Sequence, residues 1–288
     1  MINLKSRDIK KIVAGTHTED GAGVKLQRVL SRNTVIHFDP FLLLDSFDSD
    51  NPEDYTKGFP WHPHRGIETV TYIIEGNVEH GDSLGNKGTI ENGGCQWMTA
   101  GGGILHQEMP QPSDKMLGVQ LWLNLPAKNK MTTPEYRDIT AEMVPKIKES
   151  DAEIKVISGN YNNQSGAMVA DYAKMTFLDV KLDKNKDWEW QPPEDDRVFI
   201  FTVEGTGKFG NKLEEINPKN AILFEDEDGI ITVQAGDEDL RFLIFSARPL
   251  KEPVAWGGPI VMNTTEELNQ AFEDIDNEQF VMKPEKKI

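Results

Sequence analysis

Two short stretches of this chain carry residues whose types and spacing could do chemistry. One is Trp61-His62-Pro63-His64-Arg65-Gly66-Ile67-Glu68, and the other is His106-Gln107-Glu108. Side chains two apart on a strand share a face, so His62 can act with His64, and His106 with Glu108. Two such strands facing each other across a small barrel would bring three imidazoles and a carboxylate to one point. That donor set suits a divalent first-row metal, and four protein ligands leave coordination positions open for a reactant. Glu68 has the same strand parity as His62 and His64. Spacing leaves open whether Glu68 or Glu108 is the carboxylate ligand. In the other role, Glu68 would orient an imidazole or pair with Arg65.

All six histidines (His17, His37, His62, His64, His80 and His106) lie in the first 106 residues, and so does the single cysteine, Cys95. The second half offers no imidazole or thiol, so a tightly bound transition metal is expected in the first half. His80 sits among turn residues and reads as a surface hairpin histidine. His17 and His37 have no ligand-like partner nearby and read as structural. Cys95 lies in an apolar strand without an evident base, so it reads as a small core residue. Gly101-Gly102-Gly103 is followed by no Lys-Ser/Thr pair. It reads as a tight turn ahead of the His106 strand rather than a phosphate loop.

The elements that must position these residues are mostly short strands. Apolar stretches such as Thr69–Ile74, Cys95–Ala100, Val119–Leu123, Val198–Val203 and Leu240–Ser246 are separated by Gly, Asn, Asp and Pro at close intervals. Many short strands with frequent turns predict a sandwich or barrel. One helix is clear. Thr264 and Glu267 form a capping box, with Leu268, Ala271, Phe272 and Ile275 following at helical spacing. A weaker helical pattern covers 140–149. Thr71-Tyr72-Ile73-Ile74-Glu75-Gly76 resembles Phe201-Thr202-Val203-Glu204-Gly205 about half a chain later. This predicts two β-domains of similar plan joined near 137–150.

Composition narrows the function classes. The chain has 288 residues, 38% hydrophobic and 27% charged, with net charge −17. Such an acidic protein is a poor partner for nucleic acid or anionic membranes. No apolar run approaches the ~20 residues of a membrane helix, and the N-terminal residues lack the apolar core of a signal peptide. A single cysteine favours a reducing compartment, so a cytoplasmic protein is expected, with monomer as the default state.

Four stretches carry a resemblance to the pirins, bicupin members of the cupin superfamily. They are Phe38-Asp39-Pro40-Phe41-Leu42-Leu43-Leu44-Asp45, Gly58-Phe59-Pro60-Trp61-His62-Pro63-His64-Arg65-Gly66, Gln96–Gly101 running on to His106–Pro110, and Gly257–Thr264. The resemblance implies an all-β fold of two stacked antiparallel β-barrels of cupin (jelly-roll) type with a short C-terminal helix. It implies a metal-bearing domain over 1–140 and a cupin-like domain without metal ligands over 141–288. It assigns His62, His64, His106 and Glu108 as ligands, which favours Glu108 over Glu68 and leaves Glu68 to support the ligands. The metal expected is Fe(II), with Mn, Co, Ni, Cu and Zn also admitted by the donor set. Some pirins resemble quercetin 2,3-dioxygenases. That implies cleavage of a flavonol-like aromatic substrate by O₂ with release of carbon monoxide, Glu108 taking the hydroxyl proton. Phe59, Trp61, Trp97, Met98 and Trp122 are then candidate pocket walls. Others are iron-dependent co-regulators, which implies a redox-responsive module acting on a protein partner without turnover.

Overall fold

A computed structural model describes residues 5–282. The chain forms two compact units. One is built from Glu142–Pro249 with Ile36–Asp39 and the N-terminal segment up to Thr16. The other is built from His17–Val35, Pro40–Ala141 and the C-terminal segment from Leu250. Each unit pairs a seven-stranded antiparallel sheet with a four-stranded one.

In chain order the first twelve strands are β1 (Ile9–Ala14), β2 (Thr16–Asp20), β3 (Val24–Leu30), β4 (Phe41–Ser49), β5 (Phe59–His64), β6 (Ile67–Glu75), β7 (Asn77–Asp82), β8 (Lys87–Ile90), β9 (Cys95–Thr99), β10 (Ile104–Gln111), β11 (Met116–Asn124) and β12 (Glu135–Ile139). The histidine-bearing unit has the sheets β12-β9-β6-β11-β4-β3-β2 and β5-β10-β7-β8. In the other unit the large sheet runs β1, Asn220–Phe224, Arg197–Glu204, Leu240–Ala247, Met175–Leu182, Ala152–Ser158, Lys146–Lys148. Its small sheet runs Asp187–Trp190, Ile231–Ala235, Gly207–Phe209, Glu214–Ile216.

The two orders correspond strand for strand. The repeat seen in the sequence falls on the matching central strands, β6 and Arg197–Glu204. At the edge, β1 holds in one unit the place that β12 holds in the other. Thus β1, though first in the chain, completes the sheet of the later unit through pairs such as Ile12↔Ile222. The all-β, two-cupin architecture with its C-terminal helix is the one expected from the sequence.

The helix spans Thr265–Asp276, and both capping-box hydrogen bonds are made between Thr264 and Glu267. Its apolar stripe packs through Ala271, Leu268 and Ile275 against Ile260 and Met262, while Phe272 stays 40% exposed. The helix expected over 140–149 does not form. Lys146–Lys148 is a strand paired with Ala152–Ser158, with Ile147 opposite Ile154. Pro145 lacks the N–H that a helix interior needs.

The interiors differ in chemistry. In the unit built on Glu142–Pro249, Val156, Leu178, Ile200, Phe209, Phe242 and Ile244 belong to one apolar cluster. In the other unit, six residues in direct cross-strand register form a polar row: Arg28–Asp45–Gln120–Thr71–Gln96–Asp138. Directly opposed residues in an antiparallel sheet share a face. A polar row through a barrel is costly to bury, and its middle members lie beside the candidate ligands.

Candidate metal centre

β5 and β10 pair so that His62 stands opposite His106, and His64 opposite Ile104. Strict burial alternation along β10 turns His106 and Glu108 to the inner face. The three rings converge, with centroids 4.4 to 5.0 Å apart. One ligand nitrogen from each of His62, His64 and His106 lies within 4.8 Å of the others.

Hydrogen bonding fixes the tautomers of two rings. His62 Nδ1 lies 2.9 Å from the Pro60 carbonyl, and His64 Nδ1 lies 3.0 Å from the Pro259 carbonyl. A carbonyl only accepts, so each Nδ1 must donate. In the neutral rings both Nε2 atoms then carry lone pairs, yet they face each other at 3.1 Å. A shared cation resolves that repulsion. Among the described residues, neither ring nitrogen of His106 has a hydrogen-bond partner, although the residue is fully buried. Burial holds the pKa of His64 down to about 3 and drives that of His106 well below its ordinary value, with the neighbouring imidazoles adding to both effects. Neutral imidazoles with free lone pairs are what a metal needs. The residues fit a divalent metal ion.

The Glu108 carboxylate is not part of that cluster. Thr71 Oγ1 donates to one of its oxygens at 2.7 Å, and Gln120 Nε2 donates to the other at 2.5 Å. Burial raises its pKa, while the hydrogen bonds from Thr71 and Gln120 oppose the rise. Glu68 is also outside the cluster and accepts from Thr99 Oγ1 at 2.7 Å. Arg65 pairs with Asp274 at 2.6 Å.

His80 corrects the sequence reading. It is not a surface residue but 4% exposed, opposite Glu108 on β7 and stacked on Tyr136 at 4.2 Å. The turn that made it look exposed begins after it, where Asp82 accepts from the Leu84 and Asn86 backbones. Cys95 is buried, and burial pushes its thiol pKa up, as suits a core residue. His17 lies at the surface, 3.2 Å from the Gln27 amide.

A cleft of about 640 Å³ opens beside His62 and His64. Phe59 and Trp122 line it, as do Trp256 and Pro259 from the C-terminal segment. Arg28 and Asp45 form its polar side, joined by two bonds of 2.9 and 2.7 Å. Of the other expected wall residues, Trp97 and Met98 are core, and Trp61 is 52% exposed. Thr71, Gln120 and Trp256 were not singled out from the sequence. Their only sequence signals were strand parity and the Gly257–Thr264 motif.

In the other unit, the strands equivalent to β5 and β10 are Asp187–Trp190 and Ile231–Ala235. Their buried positions carry Trp188, Trp190, Ile231 and Val233. Apolar side chains occupy the places where the first unit has imidazoles.

Two cupin-type barrels in one chain, one with a three-histidine cluster, define a bicupin. The chain belongs to the pirin family: the Pirin model matches residues 23–123, and the model of the pirin C-terminal cupin domain matches residues 177–281. It is 41% identical to a Pseudomonas aeruginosa protein that bears a provisional quercetin 2,3-dioxygenase name, over 93% of this chain and 96% of that one. A crystal structure of quercetin 2,3-dioxygenase from Acinetobacter baumannii is similar at TM-score 0.87 and 32% identity, covering 95% of this chain and 98% of that one. A bacterial pirin from Escherichia coli in complex with nickel(II) is similar at TM-score 0.62 and 25% identity, covering 85% and 99%. Among the described residues, no helix is long and apolar enough to cross a membrane.

Proposed function

We propose that this protein is a metal-dependent dioxygenase that cleaves a flavonol-like substrate with O₂ and releases carbon monoxide. In this reading His62, His64, His106 and Glu108 are the ligands, Fe(II) is the metal, and the metal-bearing domain is taken from residues 1–140 together with the segment from Leu250. The rest of 141–288 forms a cupin-like domain without metal ligands, and the protein works as a cytoplasmic monomer. The observation that carries the reading is the His62–His64 pair. Two lone-pair nitrogens face each other at 3.1 Å, on the wall of a cleft wide enough for a fused aromatic ring system. The quercetin dioxygenase names of similar proteins supply the substrate class, and the nickel(II) pirin supports a divalent ion.

The bound metal would lower the pKa of a coordinated hydroxyl and bring two reactants to one centre. The chain's own residues do the rest. Trp122 and Trp256 form an aromatic wall, their rings 5.7 Å apart, against which a planar ligand can lie. Phe59 and Pro259 add apolar wall to the same cleft. Glu108 takes the substrate's hydroxyl proton, since burial raises its pKa and so its affinity for that proton. Thr71 and Gln120 hold its two oxygens and so keep it ionised until that proton arrives.

Aerobic incubation of the Fe(II)-loaded protein with quercetin tests the reading. Flavonol loss matched by carbon monoxide supports it. No turnover at full occupancy with Fe, Mn, Co, Ni or Cu refutes it. Differential capture of a protein partner by the Fe(II) and Fe(III) forms would then establish the regulatory alternative.

A further inference from the structure

Lys130 is 2% exposed, and among the described residues no carboxylate pairs with it. Its Nζ donates to three neutral oxygens: the Gly66 carbonyl at 2.8 Å, Asn124 Oδ1 at 2.6 Å and the Val261 carbonyl at 2.8 Å. A buried ammonium is expensive and needs a return beyond packing. Three acceptors use all three of its hydrogens. Burial lowers its pKa to about 7, while Glu252 and Glu267 act the other way.

The three oxygens belong to separate parts of the chain. Gly66 is the turn two residues after His64. Asn124 ends β11. Val261 lies in the small hairpin formed by Ala255–Gly257 and Ile260–Met262. That hairpin carries Pro259, whose carbonyl receives His64 Nδ1–H. The approach of hairpin to turn is written into the sequence. Gly66 has φ +79°, and a Cβ there would overlap the Val261 carbonyl. Val261 N also donates to the Arg65 carbonyl at 3.1 Å. Farther out, Arg65 holds Asp274 and the Phe280 carbonyl.

We propose that Lys130 is a positioning residue of the metal centre: it pins the 255–262 hairpin to the turn after His64, which keeps the Pro259 carbonyl on His64 Nδ1 and aims Nε2 at the metal. His62 is the internal control. Its Nδ1 partner, Pro60, lies on its own strand and owes nothing to Lys130. The proposal rests on the reading of the three histidines as a metal site, but its test does not need turnover.

The experiment is imidazole ¹⁵N NMR on the metal-free protein, with nickel(II) titration beside it. In the wild type, both His62 and His64 should be single Nδ1–H tautomers. In Lys130→Met, His64 should exchange between tautomers while His62 is unchanged, and nickel(II) affinity should fall about 10- to 100-fold, as when an imidazole loses its outer hydrogen-bond partner. Pro259→Gly leaves Lys130 and its three acceptors in place and loosens only the carbonyl. It should give the same His64-selective change, and it decides the matter if Lys130→Met does not fold. The proposal is overturned if His64 keeps one tautomer in the folded variants, or if His62 and His64 change together.

Discussion

Thr71→Val is the most informative single change near the reacting atoms. Valine keeps the volume and branching of threonine and removes one donor. Thr71 is 3% exposed on the inner face of β6, and its hydroxyl gives Glu108 a 2.7 Å bond. It does not line the open cleft, so the substrate's walls stay as they are. A hydrogen bond to a charged group contributes about 1.5–3 kcal/mol, which corresponds to about one to two pKa units. The sign follows from which form is held: the bond favours the carboxylate, so its loss raises Glu108 further above its ordinary value. More of the base is then protonated at any pH where it titrates, and kcat/KM should fall, by at most about 10- to 100-fold. The loss should shrink as pH rises, because ionisation is restored. The assay is flavonol turnover by the metal-loaded variant from pH 6 to 9, with metal content measured at each pH. An equal loss at every pH, or no loss, would refute the role given to Glu108. The same change in a Gln120→Leu background should be non-additive, since Gln120 bonds both Glu108 and Thr71.

Other outcomes are expected from the same geometry. Trp256→Ala should raise KM for a flavonol about tenfold with metal content unchanged, because it removes one aromatic face of the cleft and no ligand; parallel titration of substrate and metal checks this. Acid should destabilise the metal-free protein. His64 has a folded pKa near 3 against an ordinary 6.5, so the unfolded chain binds more protons between those values. Stability is therefore lost as pH falls through that window, by as much as about 5 kcal/mol from this residue. Melting curves from pH 7 to 4 should show a shallower slope for His64→Gln, and equal slopes would contradict the assignment. Asp45→Asn should cost about 2 kcal/mol by denaturant unfolding, since Arg28 would lose its bidentate partner inside the cleft and keep only Asp20.

What could be read from the sequence follows period and motif. Two histidine-bearing strands reveal themselves by residue type and parity, and the fold brings their three imidazoles together. The capping box at Thr264 is a local device, so it was readable without the fold. Contacts set by distant register were not. Thr71, Gln120 and Asp45 look like ordinary strand residues until pairing of β4, β6 and β11 aligns them. His80 misleads because the turn that follows it dominates its neighbourhood, while its inward direction is decided by its pairing with Glu108. The 140–149 segment fails as a helix because one apolar residue, Ile147, gains more from pairing with Ile154 than a polar helix could offer. That β1 completes the later unit's sheet is invisible in β1 itself, since its partner lies some two hundred residues away. Lys130 gives no sign at all, because a lysine near a turn is ordinarily solvated.

The most direct test of the central claim measures metal and carbon monoxide together in the wild type and in His106→Ala. His106 is buried, has among the described residues no hydrogen-bond partner on either nitrogen, and faces His62 and His64. One Fe(II) per wild-type chain and one carbon monoxide per flavonol consumed are expected, with both lost in a folded His106→Ala protein. Flavonol cleavage by His106→Ala at the wild-type rate, or by wild-type protein stripped of metal, would contradict the claim.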